Sequence, residues 1–156
     1  MSELRTELEH EHRVIDDGLE ALATTDGRPD PLGIANGQRA VDLLRRHIYF
    51  EEESLFPPLR TLGLFGPVMV MIQEHAEMWP LLDALDRDLA AGADDSARLC
   101  RELLSLLAVH NLKEENILYA GVDAELPEAQ LGALSAELGA AMLPAGWTCT
   151  GLQPRP

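Results

Sequence analysis

The feature that most restricts what this chain can become is a polar interruption, written twice, in an otherwise apolar helical stripe. Residues 47–56 read HIYFEEESLF and residues 110–119 read HNLKEENILY, so His47, Glu51, Glu52, Leu55 and Phe56 are matched by His110, Glu114, Glu115, Leu118 and Tyr119. Residues four apart stand one above the other on a helix. Each segment therefore turns an imidazole and a carboxylate toward the side that carries its leucines. Burying an unpaired carboxylate costs several kcal/mol, so a fold that accepts this pattern must bring a cationic partner into its core.

Periodicity predicts helices along most of the chain. Ser2 is a candidate N-cap for a first helix ending near Thr24, where TTDGRPDP supplies turn residues. A second helix is expected from about residues 32–36 to Phe56, with Pro57 and Pro58 stopping or kinking it. After the loop TLGLFGP, a third has Pro67 in its first turn, a kink at Pro80 and an end near Ala91; a fourth runs from about Asp95 to Tyr119. Residues 127–142 read as a shorter fifth helix, and PAGWTCTGLQPRP as a tail for which no structure is expected.

The inward stripes, spaced by three and four, are Leu8, His12, Ile15, Leu19 and Leu22; Ala40, Leu44, His47, Glu51 and Ser54; Val68, Ile72, His75, Trp79 and Leu82; and Cys100, Leu103, Leu107, His110, Glu114 and Ile117. His12 to His47 and His75 to His110 each span 35 residues, and each half opens on EH and closes on H-x-x-x-E-E. Two copies of a helical hairpin with short connections predict an all-α, up-down-up-down antiparallel four-helix bundle with a short C-terminal fifth helix. Residues 1–122 are expected to form the bundle, with 123–156 a C-terminal helix and tail packed on it or extending from it.

Composition narrows the function. A chain of 156 residues is the size of one domain. The formal charge of −15 and a pI near 4.5 oppose nucleic acid and anionic lipid as partners, because both require a cationic footprint. No run of roughly twenty apolar residues is expected to span a bilayer, and the acidic start MSELRTELEHEHR does not read as a signal peptide, so the expected location is cytoplasmic. Cys100 and Cys149 have neither zinc nor redox spacing and read as small core hydrophobes. Cys100 lies ten residues, roughly 15 Å of helix, from His110, too far to share a ligand site with it.

Four imidazoles and two carboxylates on facing stripes suit a pair of metal ions. His47 with Glu51 and His110 with Glu114 each offer a nitrogen and an oxygen, His12 and His75 add one nitrogen each, and the carboxylates can bridge. The mixed nitrogen and oxygen set favours iron, then manganese or zinc.

The segments EHRVI, HIYFEEESLFP, EHAEM and HNLKEENILY together resemble the hemerythrin-like, or HHE cation-binding, family over residues 1 to about 120. The resemblance implies a non-haem di-iron centre with His12, His47, Glu51, His75, His110 and Glu114 as ligands, the irons bridged by Glu51 and Glu114 and an oxo or hydroxo group. It also implies binding of, or reaction with, O2, NO or peroxide, in oxidative or nitrosative stress or in iron handling. Trp79 stands where the oxygen carriers of that family have a further histidine, and Glu114 is four rather than five residues after its histidine. The set is closer to that of the proteins that repair iron centres, and the nitrogen it lacks leaves an open position that favours turnover over reversible storage. The alternative is a metal-responsive sensor or iron-donor module, with an electron donor or iron-receiving protein as partner and the fifth helix and GWTCTG as its surface.

Around the six ligands, Trp79 is expected to wall the pocket, and Phe50 to line it or simply to pack in the core. His10 and Tyr49 lie about 200° around their helices from His12 and His47 and should face away. Glu11 and Glu74 are expected to face solvent, and the groups that orient the imidazoles are not identified by this reading.

Overall fold

The Ser2 Oγ accepts the Arg5 N–H at 3.1 Å and so starts α1, Glu3–Ala23. Asp30 caps α2, Pro31–Phe50, in the same way through the Gly33 N–H at 2.7 Å, with Pro31 at the first position, where a missing N–H costs nothing. The computed structural model describes residues 1–155 and, among them, contains helices and connections but no strand.

Helix α2 does not stop at the prolines. It widens into a π turn, Glu51–Leu55, and continues as α3, Phe56–Leu59, with Pro57 and Pro58 in the first turn. After a second π segment, Arg60–Leu64, containing Gly63 at φ 89°, the chain enters α4, Phe65–Ala91, which passes through Pro80 and ends on left-handed Gly92. Helix α5, Ser96–Lys113, repeats the pattern of α2: a π turn at Glu114–Leu118 leads into α6, Tyr119–Glu125. Helix α7 covers Glu128–Ala140.

The π turns correct the expected stripes. A π turn bonds residues five apart rather than four; here the Phe56 N–H donates to the Glu51 carbonyl and the Tyr119 N–H to that of Glu114. The inward register therefore slips by one. Leu55 and Phe56 are buried where Ser54 was expected, and Leu118 and Tyr119 where Ile117, which is 44 % exposed, was expected.

Helix α1 packs on α2 and α5, and α4 packs on α5 and α2. Gly18 permits the close approach of α1 and α2, since a Cβ there would lie 2.8 Å from that of Ala40. The buried apolar side chains form two clusters. One contains Ile15, Leu19, Leu44, Leu82, Leu103 and Leu107; the other contains Leu4, Leu8, Phe56, Val68, Tyr119 and, from α7, Leu134 and Leu138. On each of α1, α2, α4 and α5, the stripe histidine falls at the boundary between them.

Two further expectations concern membrane spans and the tail, and the second is corrected. The helical stretch Pro31–Ala91 does contain an 18-residue window of mean hydropathy 1.5, long and apolar enough by composition to cross a membrane. That stretch turns at Gly63, and Val68, Met71 and Ile72 beyond the turn are buried in the second cluster. The tail after α7 is also ordered: it lies against the bundle, buries Cys149 completely and forms a 3-10 turn at Thr150–Leu152.

Candidate metal centre

Between the two apolar clusters, His12, His47, Glu51 and Glu114 form one group, and Glu51, His75, His110 and Glu114 a second, each with its ligand atoms within 4.8 Å of one another. All six side chains are buried, between 0 and 4 % exposed, and the two glutamates belong to both groups.

Each imidazole is turned by a carboxylate on its Nδ1. His12 meets Glu115 at 2.9 Å, His47 meets Glu11 at 2.7 Å, His75 meets Glu52 at 2.7 Å and His110 meets Glu74 at 3.0 Å. Glu11 and Glu74 do not face solvent as the sequence suggested. Each reaches across to the histidine of the next helix, and their other oxygens take Arg46 and Lys113 respectively. The four orienting glutamates obey the internal repeat: Glu11 and Glu74 immediately precede His12 and His75, and Glu52 and Glu115 immediately follow Glu51 and Glu114. The doublets EH and EE carried that signal, but a reading of one helix at a time assigns the extra glutamate to the surface.

With Nδ1–H donated outward, each neutral imidazole presents an Nε2 lone pair to the interior. His12 Nε2 and His47 Nε2 lie only 3.1 Å apart. His75 Nε2, Glu51 Oε2 and Glu114 Oε1 are buried, and what stands nearest to them is another lone pair of the set: Glu51 Oε2 is 3.3 Å from His75 Nε2, and Glu114 Oε1 is 2.9 Å from His110 Nε2. An enclosed set of acceptors short of donors is stable only around positive charge. Nitrogen and carboxylate oxygen donors in this number fit transition-metal cations.

Protons fill that role in the protein alone. Burial would lower the pKa of His47, but the Glu51 charge and the bonds to Glu11 and Glu51 outweigh it and push it up to about 10. His75 and His110 are also raised against the same burial, His75 by its bonds to Glu114, Glu51 and Glu52, and His110 by the charge of Glu114 and its bonds to Glu114 and Glu74. Burial and the neighbouring carboxylate would raise Glu51, and burial would raise Glu114; the imidazoles reverse this and hold both acids below the usual carboxylate range.

Tyr119 is a site residue that the sequence reading compared with Phe56 but did not assign. Its hydroxyl donates to Glu51 Oε1 at 2.6 Å and lies 3.1 Å from His12 Nε2 and 3.2 Å from His47 Nε2. Burial, followed by the charges of Glu114 and Glu51, pushes its pKa well above the ordinary phenol value. The π turn explains its position, because it brings residue i+5 back to the face of Glu114. At the equivalent place, Phe56 stacks on His75, with centroids 5.8 Å apart, as Tyr119 stacks on His12 at 5.5 Å. One half of the site therefore carries a hydroxyl and the other does not.

The remaining expected residues are placed as follows. Phe50 is buried in the second apolar cluster. Trp79 is buried one turn after His75, its ring against Trp147 at 5.5 Å and under the Arg45 guanidinium at 5.4 Å. His10 is exposed, and the Tyr49 ring meets Trp147 edge-on at 5.2 Å. Burial pushes the Cys100 and Cys149 thiols up to about 12 and about 11, so both are inert as nucleophiles. A cavity of about 220 Å³ lined by Glu74, Met78, Leu106, Val109 and His110 opens beside the second group.

Helices that enclose four imidazoles and two carboxylates in one buried layer define a metal-binding helical protein. The model of the hemerythrin HHE cation-binding domain matches residues 3–122, and the chain belongs to that family. No curated protein matches the chain.

Proposed function

We propose that this chain is a cytoplasmic non-haem di-iron protein that reacts with O2, NO or peroxide. Residues 1–122 serve as an up-down-up-down antiparallel four-helix bundle, and residues 123–156 as a C-terminal helix and tail laid on it. The observation that carries the reading is the crowding of buried imidazole and carboxylate lone pairs, among them His75 Nε2, Glu51 Oε2 and Glu114 Oε1, at the meeting point of two four-ligand groups. His12 and His47 would hold one ion and His75 and His110 the other, with Glu51 and Glu114 available to both. Two ferrous ions held there supply two electrons to a small oxidant.

The chain's own residues do the rest. Glu11, Glu52, Glu74 and Glu115 fix the ring planes and increase the electron density at each Nε2. The apolar clusters above and below the polar layer exclude bulk water. Tyr119 holds a proton on its hydroxyl, donated to Glu51 Oε1 and 3.1 and 3.2 Å from the Nε2 atoms of His12 and His47, where it would serve as a proton donor on that side of the site. The cavity beside His110 is large enough to admit a diatomic molecule next to the His75–His110 group. Turnover requires an electron donor, the partner this reading implies.

The test is rapid mixing of anaerobic ferrous protein with O2, NO and peroxide in turn. A ferric or nitrosyl absorption band forming in milliseconds to seconds supports the reading, and iron-loaded protein indifferent to all three removes it.

A further inference from the structure

The tail meets the site at one carboxylate. Glu11 and Glu74 have their second oxygens on cations of the helices, Arg46 and Lys113. Glu52 differs. Its Oε2 takes the Nδ1–H of His75 at 2.7 Å, and its Oε1 accepts the backbone N–H of Thr150 at 2.6 Å; the side chains of Glu52 and His75 are both 0 % exposed. Among the described residues no lysine or arginine forms an ion pair with Glu52. Thr150 lies beyond the 3–122 segment that the family model matches.

Three contacts independent of Glu52 hold Thr150 there. The Trp147 ring stands edge-on to Tyr49 and to Trp79, and its Nε1–H donates to Glu53 at 3.1 Å. Cys149 is fully buried in the first apolar cluster. Gly151 lies on α4 so closely that a Cβ would come 2.7 Å from that of Ala76.

We propose that residues 147–151 are a positioning strap for His75: the Thr150 N–H fixes Glu52, Glu52 fixes the imidazole, and metal retention by the Glu51, His75, His110 and Glu114 group depends on the docked tail. The His12–His47 group, oriented by Glu115 and Glu11, does not depend on it. A carboxylate with one oxygen released can swing, and the ring it orients swings with it. Losing an orienting partner of a ligand histidine typically weakens metal binding about 10–100-fold. This inference rests on the metal-binding reading of the site and adds to it a dependence on a segment outside the bundle.

The test uses full-length protein loaded anaerobically with Fe2+, with release to a chromophoric chelator followed in time. Thr150→Pro removes the N–H and sets a ring carbon against Glu52 Oε1. The preceding residue, Cys149 at φ −58° and ψ 150°, already has the extended backbone that a following proline needs. Gly151→Leu instead lifts the strap off Ala76 without touching Glu52, and Thr150→Ala keeps the N–H. Emission from Trp147 and Trp79, the two tryptophans, reports whether the strap is docked.

The expected result is that Thr150→Pro and Gly151→Leu release one of two irons at least about 10-fold faster and the other at the wild-type rate, while Thr150→Ala behaves as wild type. Both irons retained at the wild-type rate in Thr150→Pro and Gly151→Leu would overturn the strap and leave the metal site standing. Equal acceleration of both irons would also overturn it, because that is general destabilisation. Wild-type protein that retains no iron would remove the metal reading itself and the strap with it.

Discussion

Replacing Tyr119 with Phe removes one oxygen atom and little else, because the ring keeps its packing on His12. In the metal-free protein that oxygen donates to Glu51 Oε1 at 2.6 Å. A hydrogen bond to a charged group contributes about 1.5–3 kcal/mol, and leaving a buried acceptor unsatisfied costs about 1–3 kcal/mol. These descriptions overlap, so the expected destabilisation is about 2–3 kcal/mol. For a chain of this size each kcal/mol moves Tm by about 2–4 °C, which gives a fall of about 4–12 °C. A cation bound to Glu51 supplies what the hydroxyl gave, so in the loaded protein the loss should shrink below about 1 kcal/mol. Thermal unfolding followed by circular dichroism, with chelator and with excess Fe2+ under anaerobic conditions, separates the cases. A Tyr119→Phe protein with an unchanged metal-free Tm, or one equally destabilised with and without metal, would refute the reasoning.

Other consequences are accessible to simple assays. Glu74→Gln keeps the shape of the side chain but weakens its hold on His110 and Lys113, so metal affinity measured by chelator competition should fall about 10–100-fold while helicity is unchanged. The folded-state pKa of His47 is about 10 against an ordinary 6.5, so its stabilising contribution is complete below about pH 6.5 and is lost as pH rises toward 10; His75 and His110 shift in the same direction. Metal-free protein should therefore lose Tm between pH 7 and pH 10, and a Tm rising over that interval would contradict the assignment. Gly18→Leu forces a side chain into the Ala40 contact and should cost about 1–3 kcal/mol in denaturant unfolding, with the metal-to-protein ratio unaffected.

Much of this architecture was legible in the sequence because burial leaves a period. The spacing of Leu8, His12, Ile15, Leu19 and Leu22 marks the face of α1 that is in fact buried, and the repeated H-x-x-x-E marks the residues that the two four-ligand groups bring together. The π turns were not legible, since their signature is a change in backbone winding and no residue type announces it. An α-helical count consequently chose Ser54 and Ile117 where Leu55 and Leu118 are buried, and it left Tyr119 out of the site. Glu11 and Glu74 were assigned to solvent because their partners sit on other helices, 36 residues away in each case. The tail carried no period at all; its order comes from Trp147, Cys149 and Gly151 fitting a surface that exists only once the helices have packed.

The central claim is that the layer between the two apolar clusters is polar because metal cations occupy it. Anomalous diffraction at the iron edge from crystals grown anaerobically with Fe2+ tests this most directly. The account predicts two peaks, one within bonding distance of His12 and His47 and one of His75 and His110, both shared by Glu51 and Glu114. A map without peaks there, with the imidazoles bonded only to protein or water, would contradict it.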